Sequence, residues 1–233
     1  NNVSAASSVL SITVDTTAPD QPIITTTTAL TNDSTPAIEG VAEAGSTVTL
    51  FVDGETTGIT TTADGTTGAY TITPAELSDG DYSLTVTATD AAGNISAASD
   101  ALSMTVDATA PAQPAITTTT TLTSDATPTI EGTAEAGSTV TLLSSGVAIG
   151  TTTANGDGQF SITTSTLADS NYVLTVTATD AAGNISDASD SLSITIDATA
   201  PGKPSIITTT ALTKNATPTI EGIAEAGSTV TLF

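Results

Sequence analysis

The stretch YSLTVTATDAAGNIS, residues 82–96, decides the fold of this chain. In its first half, Leu84, Val86 and Ala88 alternate with threonine, which is the period of a β-strand with one buried face and one face in water. In its second half, a Gly-Asn pair within a run of small residues indicates a tight turn. The last ten residues, TATDAAGNIS, return unchanged at 177–186, so the strand and its turn belong to a repeated unit.

The repeat covers the whole chain with a period of about 90 residues. A segment of the form V-D-x-T-A-P or I-D-x-T-A-P occurs three times, and its aspartates, Asp15, Asp107 and Asp197, are 92 and then 90 residues apart. A period of this length is too long for a solenoid unit and suits one sandwich domain per repeat. We expect the native protein to continue in both directions. We predict 1–18 as the C-terminal part of a preceding repeat, 19–110 and 111–200 as whole repeats, and 201–233 as the N-terminal part of a following repeat.

The composition favours β structure without a large aromatic core. Aromatic residues make up 3% of the chain and tryptophan is absent, so the core must be built from valine, isoleucine, leucine and alanine. Turn signals separate about seven alternating runs per repeat, and we predict an all-β fold of tandem immunoglobulin-like seven-stranded β-sandwich domains in an extended array. Tyr82 and Tyr172 each open the sixth run of their repeat and fit either a tyrosine corner or a simple core position. In the first whole repeat, strands are expected near 23–28, 36–42, 47–52, 57–62, 69–73, 82–89 and 100–107.

The chain is strongly acidic. It carries 25 acidic and 2 basic residues, a formal net charge of −23, and residues 1–202 contain no Lys, Arg or His. Almost no carboxylate can therefore be neutralised by a basic side chain, and nucleic acid or an anionic membrane surface would need basic patches that the chain lacks. No apolar run of about 18 residues occurs, so we expect no membrane insertion. Cysteine is absent, which excludes a disulfide framework.

Acidic and amide residues recur where one repeat should meet the next. In a seven-stranded sandwich, the loops after the second and sixth strands lie at the end where the first strand enters, and the last strand leaves at the opposite end. The aspartate that leaves one repeat should therefore approach both loops of the next repeat. The sets brought together in this way would be Asp15 with Glu43, Asp90 and Asn94, then Asp107 with Glu135, Asp180 and Asn184, and then Asp197 with Glu225.

Converging carboxylates with no basic partner repel one another, and Ca²⁺ takes about six to eight oxygen ligands of this kind. We predict one Ca²⁺ ion at each junction, bound with a Kd on the order of 10⁻⁴–10⁻³ M, as in extracellular modules. The alternative is that Asp90 and Asn94 only cap their turn through local hydrogen bonds, and that Asp15 is a solvated charge of the linker.

Three motifs follow one another along the chain: V-D-x-T-A-P-x-x-P, E-A-G-S-T-V-T-L and T-A-T-D-A-A-G-N-I-S. With these motifs the chain resembles the bacterial Ig-like repeats in the extender regions of giant type I-secreted surface adhesins of the RTX or biofilm-associated kind. The resemblance implies an extracellular location at the bacterial cell surface, calcium at or near the domain junctions, and a stalk role in cell adhesion and biofilm formation. The partners would be neighbouring repeats of the same chain, and a host or surface ligand would bind elsewhere in the parent protein.

Catalysis finds little support in the sequence. The chain has no His, Cys or Arg, and its best acidic positions recur in every repeat, which suits a structural role better than a single active site. We therefore predict a non-enzymatic extender segment. The alternative is that the repeats themselves bind a glycan or a receptor, although no predicted loop carries an aromatic side chain for stacking on a sugar.

Overall fold

The computed structural model describes residues 4–209 and 212–233, and its regular elements there are all β-strands. The chain divides into two compact units. The first contains the residues up to Ala112 together with Thr179–Ser186, and the second contains Gln113–Ala178 together with the residues from Asp187 onward. Within the described ranges, no helix is long and apolar enough to cross a membrane.

The first repeat consists of eight strands in two sheets. The strands are β1 (Ile23–Ile24), β2 (Leu30–Thr31), β3 (Ile38–Val41), β4 (Thr47–Val52), β5 (Glu55–Thr62), β6 (Ala69–Ile72), β7 (Gly80–Thr89) and β8 (Leu102–Val106). One sheet has the order β1-β3-β6 and the other has the order β2-β8-β7-β4-β5. Neighbouring strands are antiparallel except for β2, which pairs with β8 in parallel.

The second repeat has the same architecture. Its strands are β9 (Ala115–Ile116), β10 (Leu122–Thr123), β11 (Thr129–Thr133), β12 (Thr139–Ser144), β13 (Val147–Thr153), β14 (Gln159–Thr163), β15 (Ser170–Thr179) and β16 (Leu192–Ile196). They form sheets of order β14-β11-β9 and β10-β16-β15-β12-β13, and β17 (Ser205–Ile206) pairs with β18 (Gly222–Ile223) farther along the chain. The prediction of an all-β fold with tandem immunoglobulin-like sandwiches is confirmed.

The first predicted strand is divided in the structure, which raises the count per repeat from about seven to eight strands. The N–H groups of Thr25 and Thr26 both donate to the carbonyl of Glu39, and the hydroxyl of Thr26 accepts the Glu39 N–H at 2.7 Å. The chain therefore leaves the three-stranded sheet after these residues and joins the five-stranded sheet as β2. The same contacts recur around Glu131 and Glu221.

Each repeat has its own aliphatic core. Val48, Leu50, Leu84 and Val86 are fully buried in the first repeat, while the threonines between them face outward or lie near the surface. The core of the second repeat is built from the matching positions of that repeat. Alternation in the sequence thus becomes burial of one face of each sheet, and burial of aliphatic side chains is the main stabilising term.

A tyrosine corner closes the entrance to β7 and to β15. The hydroxyl of Tyr82 donates to the carbonyl of Ser78 at 2.8 Å, and the hydroxyl of Tyr172 donates to the carbonyl of Ala168 at 3.1 Å. Both tyrosines bond to the backbone a few residues upstream, as a tyrosine corner requires. The corner is thus the correct one of the two interpretations that the sequence allowed.

Gly40 is required by the ring of Tyr70. The Tyr70 hydroxyl donates to the carbonyl of Ile23 at 3.1 Å, and a Cβ at Gly40 would overlap both the ring and that carbonyl. Burial raises the pKa of Tyr70 to about 12, so its phenol remains a donor at all ordinary pH values. The contact ties the short strand β1 to β6, the strand at the opposite edge of its sheet.

We expect Gly40→Ala to lower the free energy of unfolding by about 2 kcal/mol, because the added methyl group forces apart a packed strand and ring. Gly65→Ala is the matched control, since a Cβ at Gly65 meets no atom within 4 Å. The control should change stability by less than about 0.5 kcal/mol. Urea unfolding of both variants measures the difference, and equal effects would contradict this account of Gly40.

Candidate functional site

The turn after β7 is organised by one carboxylate. Asp90 Oδ1 accepts the N–H groups of Ala92 at 2.8 Å and Asn94 at 2.9 Å, and Asp90 Oδ2 accepts the side-chain amide of Asn94 at 2.8 Å. Gly93 adopts a φ of +93°, which glycine reaches without strain. Asp90 and Asn94 therefore cap their own turn.

The same turn follows β15. Asp180 Oδ1 accepts the N–H groups of Gly183 and Asn184, and Asp180 Oδ2 accepts Asn184 Nδ2 at 2.8 Å. Hydrogen bonding to the carboxylate stabilises its charged form. The pKa of Asp90 is lowered chiefly by the amide of Asn94. For Asp180, desolvation acts to raise the pKa, but hydrogen bonds from Asn184 and the turn backbone lower it further than desolvation raises it.

The second N–H of each turn asparagine contacts a linker, which is the V-D-x-T-A-P or I-D-x-T-A-P segment at 14–19, 106–111 or 196–201. Asn94 Nδ2 donates to the carbonyl of Asp15 at 3.2 Å, and Asn184 Nδ2 donates to the carbonyl of Asp107 at 2.7 Å. Each amide nitrogen thus stands between a turn carboxylate and a linker carbonyl. These residues all belong to the first compact unit.

A second carboxylate holds the linker from another side. Asp79 Oδ1 accepts the N–H of Ala108 at 2.7 Å, and Asp79 Oδ2 accepts the hydroxyl of Thr109. Asp169 makes the same contacts with residues 198 and 199. The hydroxyl hydrogen bond from the linker threonine is the largest cause of a lowered pKa at both carboxylates.

Sequence reasoning missed Asp79 and Asp169 as site residues. Each lies in a run of turn-forming residues just before β7 or β15, so the sequence indicated a turn and nothing more. The available signal was the recurrence of an aspartate at this position in both repeats.

Serine hydroxyls support the segment that follows the turn. β8 pairs with β7 only as far as Leu84, and beyond that point the N–H groups of Val86 and Ala88 donate to the buried hydroxyls of Ser99 and Ser96. The side-chain amide of Gln21 donates to the carbonyl of residue 98 at 2.6 Å, and an equivalent contact joins residues 113 and 188. The backbone that follows the turn is therefore held by β7 on one side and by Gln21 on the other.

The other residues predicted to bind Ca²⁺ take part in different hydrogen bonds with the backbone. The carbonyls of Glu43 and Glu135 accept the N–H and hydroxyl of a serine three residues later, which closes each turn between the third and fourth strands. Glu225 Oε2 accepts the N–H of Gly202 at 3.0 Å. The carboxylate of Asp15 accepts a backbone N–H two residues later, and the N–H of Asp197 donates to the β10 carbonyl of Thr123.

Several of the acidic side chains predicted to bind Ca²⁺ accept hydrogen bonds from the chain itself. Among residues 4–209 and 212–233, no three acidic side chains lie close enough together to hold a metal ion. Both oxygens of Asp90 and of Asp180 accept N–H groups, and the asparagines turn a nitrogen toward the linker. Calcium would need about six to eight converging oxygens. Calcium binding stays a prediction from the sequence.

Comparison with known proteins gives one family. A family model described as bacterial Ig-like domain matches residues 8–108 and 112–198. Exoglucanase B of Cellulomonas fimi is 34% identical over 210 residues, which is 83% of this chain but 19% of that protein. The chain thus spans about a fifth of the length of that relative.

Two solved structures are among those to which this chain is similar. A tetra-tandem repeat in the extending region of a large adhesion protein is 26% identical, with 84% of this chain and 54% of that chain covered and a TM-score of 0.33. Fibronectin(III)-like modules of Clostridium thermocellum CbhA are 18% identical, with 74% and 92% covered and a TM-score of 0.48.

We expect acid to remove the stabilisation that Asp79 gives the linker. A carboxylate whose pKa is lowered in the folded state stabilises the fold above its unfolded pKa of about 3.9, and that contribution is lost as the pH falls through the folded pKa. Asp79→Asn should therefore melt below the wild type at pH 7, and the two melting temperatures should converge as the pH falls toward about 2. Calorimetric scans of both proteins measure this, and a difference that persists undiminished in acid would contradict it.

Proposed function

Because the chain belongs to the bacterial Ig-like domain family, we propose that it is a structural extender segment of a bacterial surface adhesin that serves cell adhesion and biofilm formation. The observation that carries this proposal is the repetition of one linker contact. Asn94 holds the carbonyl of Asp15, and Asn184 holds the carbonyl of Asp107. A contact that recurs at successive linkers is what a segment of many equivalent repeats requires.

The cores support the same role. Each repeat buries its own aliphatic cluster, so each can fold as a separate unit within a long array. Such a segment gains length by adding repeats, and its stability does not depend on contacts with distant parts of the chain. We propose that the parent protein is of the giant type I-secreted kind and lies at the cell surface.

In the described part of the chain, acidic side chains accept hydrogen bonds that hold the backbone in place. The aspartates that would be the best candidates for acid–base chemistry, Asp90 and Asp180, accept N–H groups of their own turns. The same residues occur at the same place in both repeats. We therefore propose a role without catalysis. The likeness to part of an exoglucanase fits a spacer module whose role does not depend on the activity of its parent.

The aromatic side chains do not favour the alternative of a glycan-binding repeat. Tyr70 and Phe160 are buried, and Tyr82 and Tyr172 use their hydroxyls in the tyrosine corners. A sugar would need an exposed aromatic face for stacking, and these four rings are committed to the fold.

A glycan array tests the extender role against this alternative. The fluorescently labelled full chain should show no saturable binding to any glycan, because four of its six aromatic rings are committed to the fold. A lectin on the same array serves as the positive control. Dose-dependent binding that disappears when the chain is denatured would contradict a purely structural role.

We also propose that Ca²⁺ binds at the junctions between repeats and thereby stiffens the array. The candidate ligands are the acidic and amide residues named from the sequence, and their charge is the argument for an ion: residues 1–202 carry no basic side chain. A bound Ca²⁺ ion would reduce the repulsion among these carboxylates.

Calorimetry with Ca²⁺ tests this part separately. If Kd is about 1 mM, then about 10 mM CaCl₂ should stabilise each occupied site by about 1.4 kcal/mol and raise the melting temperature. NaCl of equal ionic strength is the salt control, and a triple variant with Asp15→Asn, Asp107→Asn and Asp197→Asn is the site control. A melting temperature that does not rise above the NaCl value would reject the calcium site and leave the extender role standing.

A further inference from the structure

We propose that Asp79 and Asn184 form a peptide clamp, which holds the single peptide group between Asp107 and Ala108 and needs no bound ion. The clamp deepens the extender role proposed above, because an extender needs ordered linkers. The contacts that carry the clamp do not themselves depend on that role.

The two side chains act on opposite edges of one amide plane. The carbonyl of Asp107 accepts Asn184 Nδ2 at 2.7 Å, and the N–H of Ala108 donates to Asp79 Oδ1 at 2.7 Å. That carbonyl and that N–H belong to the same planar group, whose rotation about its own C–N bond is blocked. Holding both edges therefore fixes ψ of Asp107 and φ of Ala108, and with them the direction of the chain after β8.

Asn184 is itself held in one orientation. Its Nδ2 donates to Asp180 Oδ2 at 2.8 Å as well as to the linker carbonyl, so the nitrogen faces two acceptors. An amide oxygen in that place would face two other oxygens with no hydrogen between them. The hydrogen-bond network thus assigns nitrogen to this position. The two N–H groups of this amide thus bridge the Asp180 carboxylate and the Asp107 carbonyl.

Asp79 is anchored by a second contact on the linker. Its Oδ2 accepts the hydroxyl of Thr109, so both oxygens of one carboxylate engage consecutive linker residues. Asp107 turns its own carboxylate back to the N–H of Thr109 at 3.3 Å. The charged groups that face this peptide are thus carboxylates, and each is directed to an N–H or O–H donor.

The chain contains its own partial versions of the clamp. The carbonyl of Asp15 is held by Asn94 at 3.2 Å, and the N–H of Ala198 is held by Asp169 at 2.8 Å. Both halves act together on the peptide group Asp107–Ala108, which is the linker for which the sequence contains both the preceding aspartate and the turn asparagine of the next repeat. The partial versions supply matched positions at which one contact is present without the other.

Hydrogen exchange of the Ala108 amide, measured by NMR on the full chain with a chelator present, tests the clamp. Asn184→Asp keeps the shape of the side chain and replaces its N–H donors with an acceptor. We expect exchange at Ala108 to accelerate roughly tenfold, because the loss of one hydrogen bond frees the far edge of the plane. Asp79→Ala should accelerate it at least as much, because it removes the direct acceptor.

Two controls separate the clamp from general unfolding. Asn94→Asp makes the same chemical change at the Asp15 linker and should leave Ala108 exchange unchanged. The amide of Val86, buried in the first core, should keep its protection in every variant, which shows that the sandwich is folded. Unchanged Ala108 exchange in Asn184→Asp would overturn the proposal. Weaker protection of the wild-type Ala108 amide with the chelator than in a reference sample without it would also overturn the proposal, because an ion would then hold the peptide. Neither result depends on glycan binding, so the clamp and the extender role can fail separately.

Discussion

Residues 1–202 contain no Lys, Arg or His, so their carboxylates have almost no basic partners, and this constraint shapes the loops and linkers of the protein. Their partners have to be backbone N–H groups, hydroxyls and amides. Asp33 and Asp64 each accept the N–H and the hydroxyl of a threonine two or three residues later, and Asp90 caps its turn in a similar way. Negative charge is thus stabilised by local donors, which fold the chain into tight turns at the ends of the strands.

The linkers extend the same chemistry over a long distance in the sequence. Asp79 reaches 29 residues forward to Ala108, and Asn184 reaches 77 residues back to Asp107. Because an asparagine amide has two N–H groups, it can serve a turn carboxylate and a linker carbonyl together. An array of strongly acidic repeats can in this way order its linkers with neutral donors. The aliphatic cores remain separate and carry the stability of each repeat.

Much of the fold could be predicted from the sequence because it follows from local alternation. The strands β3, β4, β6, β7 and β8 lie where the alternating runs indicated, since one face of each is buried. The division of the first strand could not be foreseen, because it depends on the carbonyl of Glu39 accepting two consecutive N–H groups. The candidate site could be predicted from the sequence only in part. Topology brought Asp107 toward Asn184, but it could not show that the linker contributes its carbonyl, or that the amide presents nitrogen. These two facts depend on atoms that come together only after folding. The same is true of the hydrogen bond from the Ala108 N–H to Asp79.

The most direct test of this account is the mobility of the Asn184 side chain. NMR relaxation of its Nδ2 nitrogen, in the absence of added cations, reports whether the amide is fixed between Asp180 and Asp107. We expect an order parameter close to that of rigid backbone, about 0.85, together with a scalar coupling across the hydrogen bond to the Asp107 carbonyl. An order parameter below about 0.6 with no such coupling would show an amide that moves freely in solvent, and would contradict the central claim.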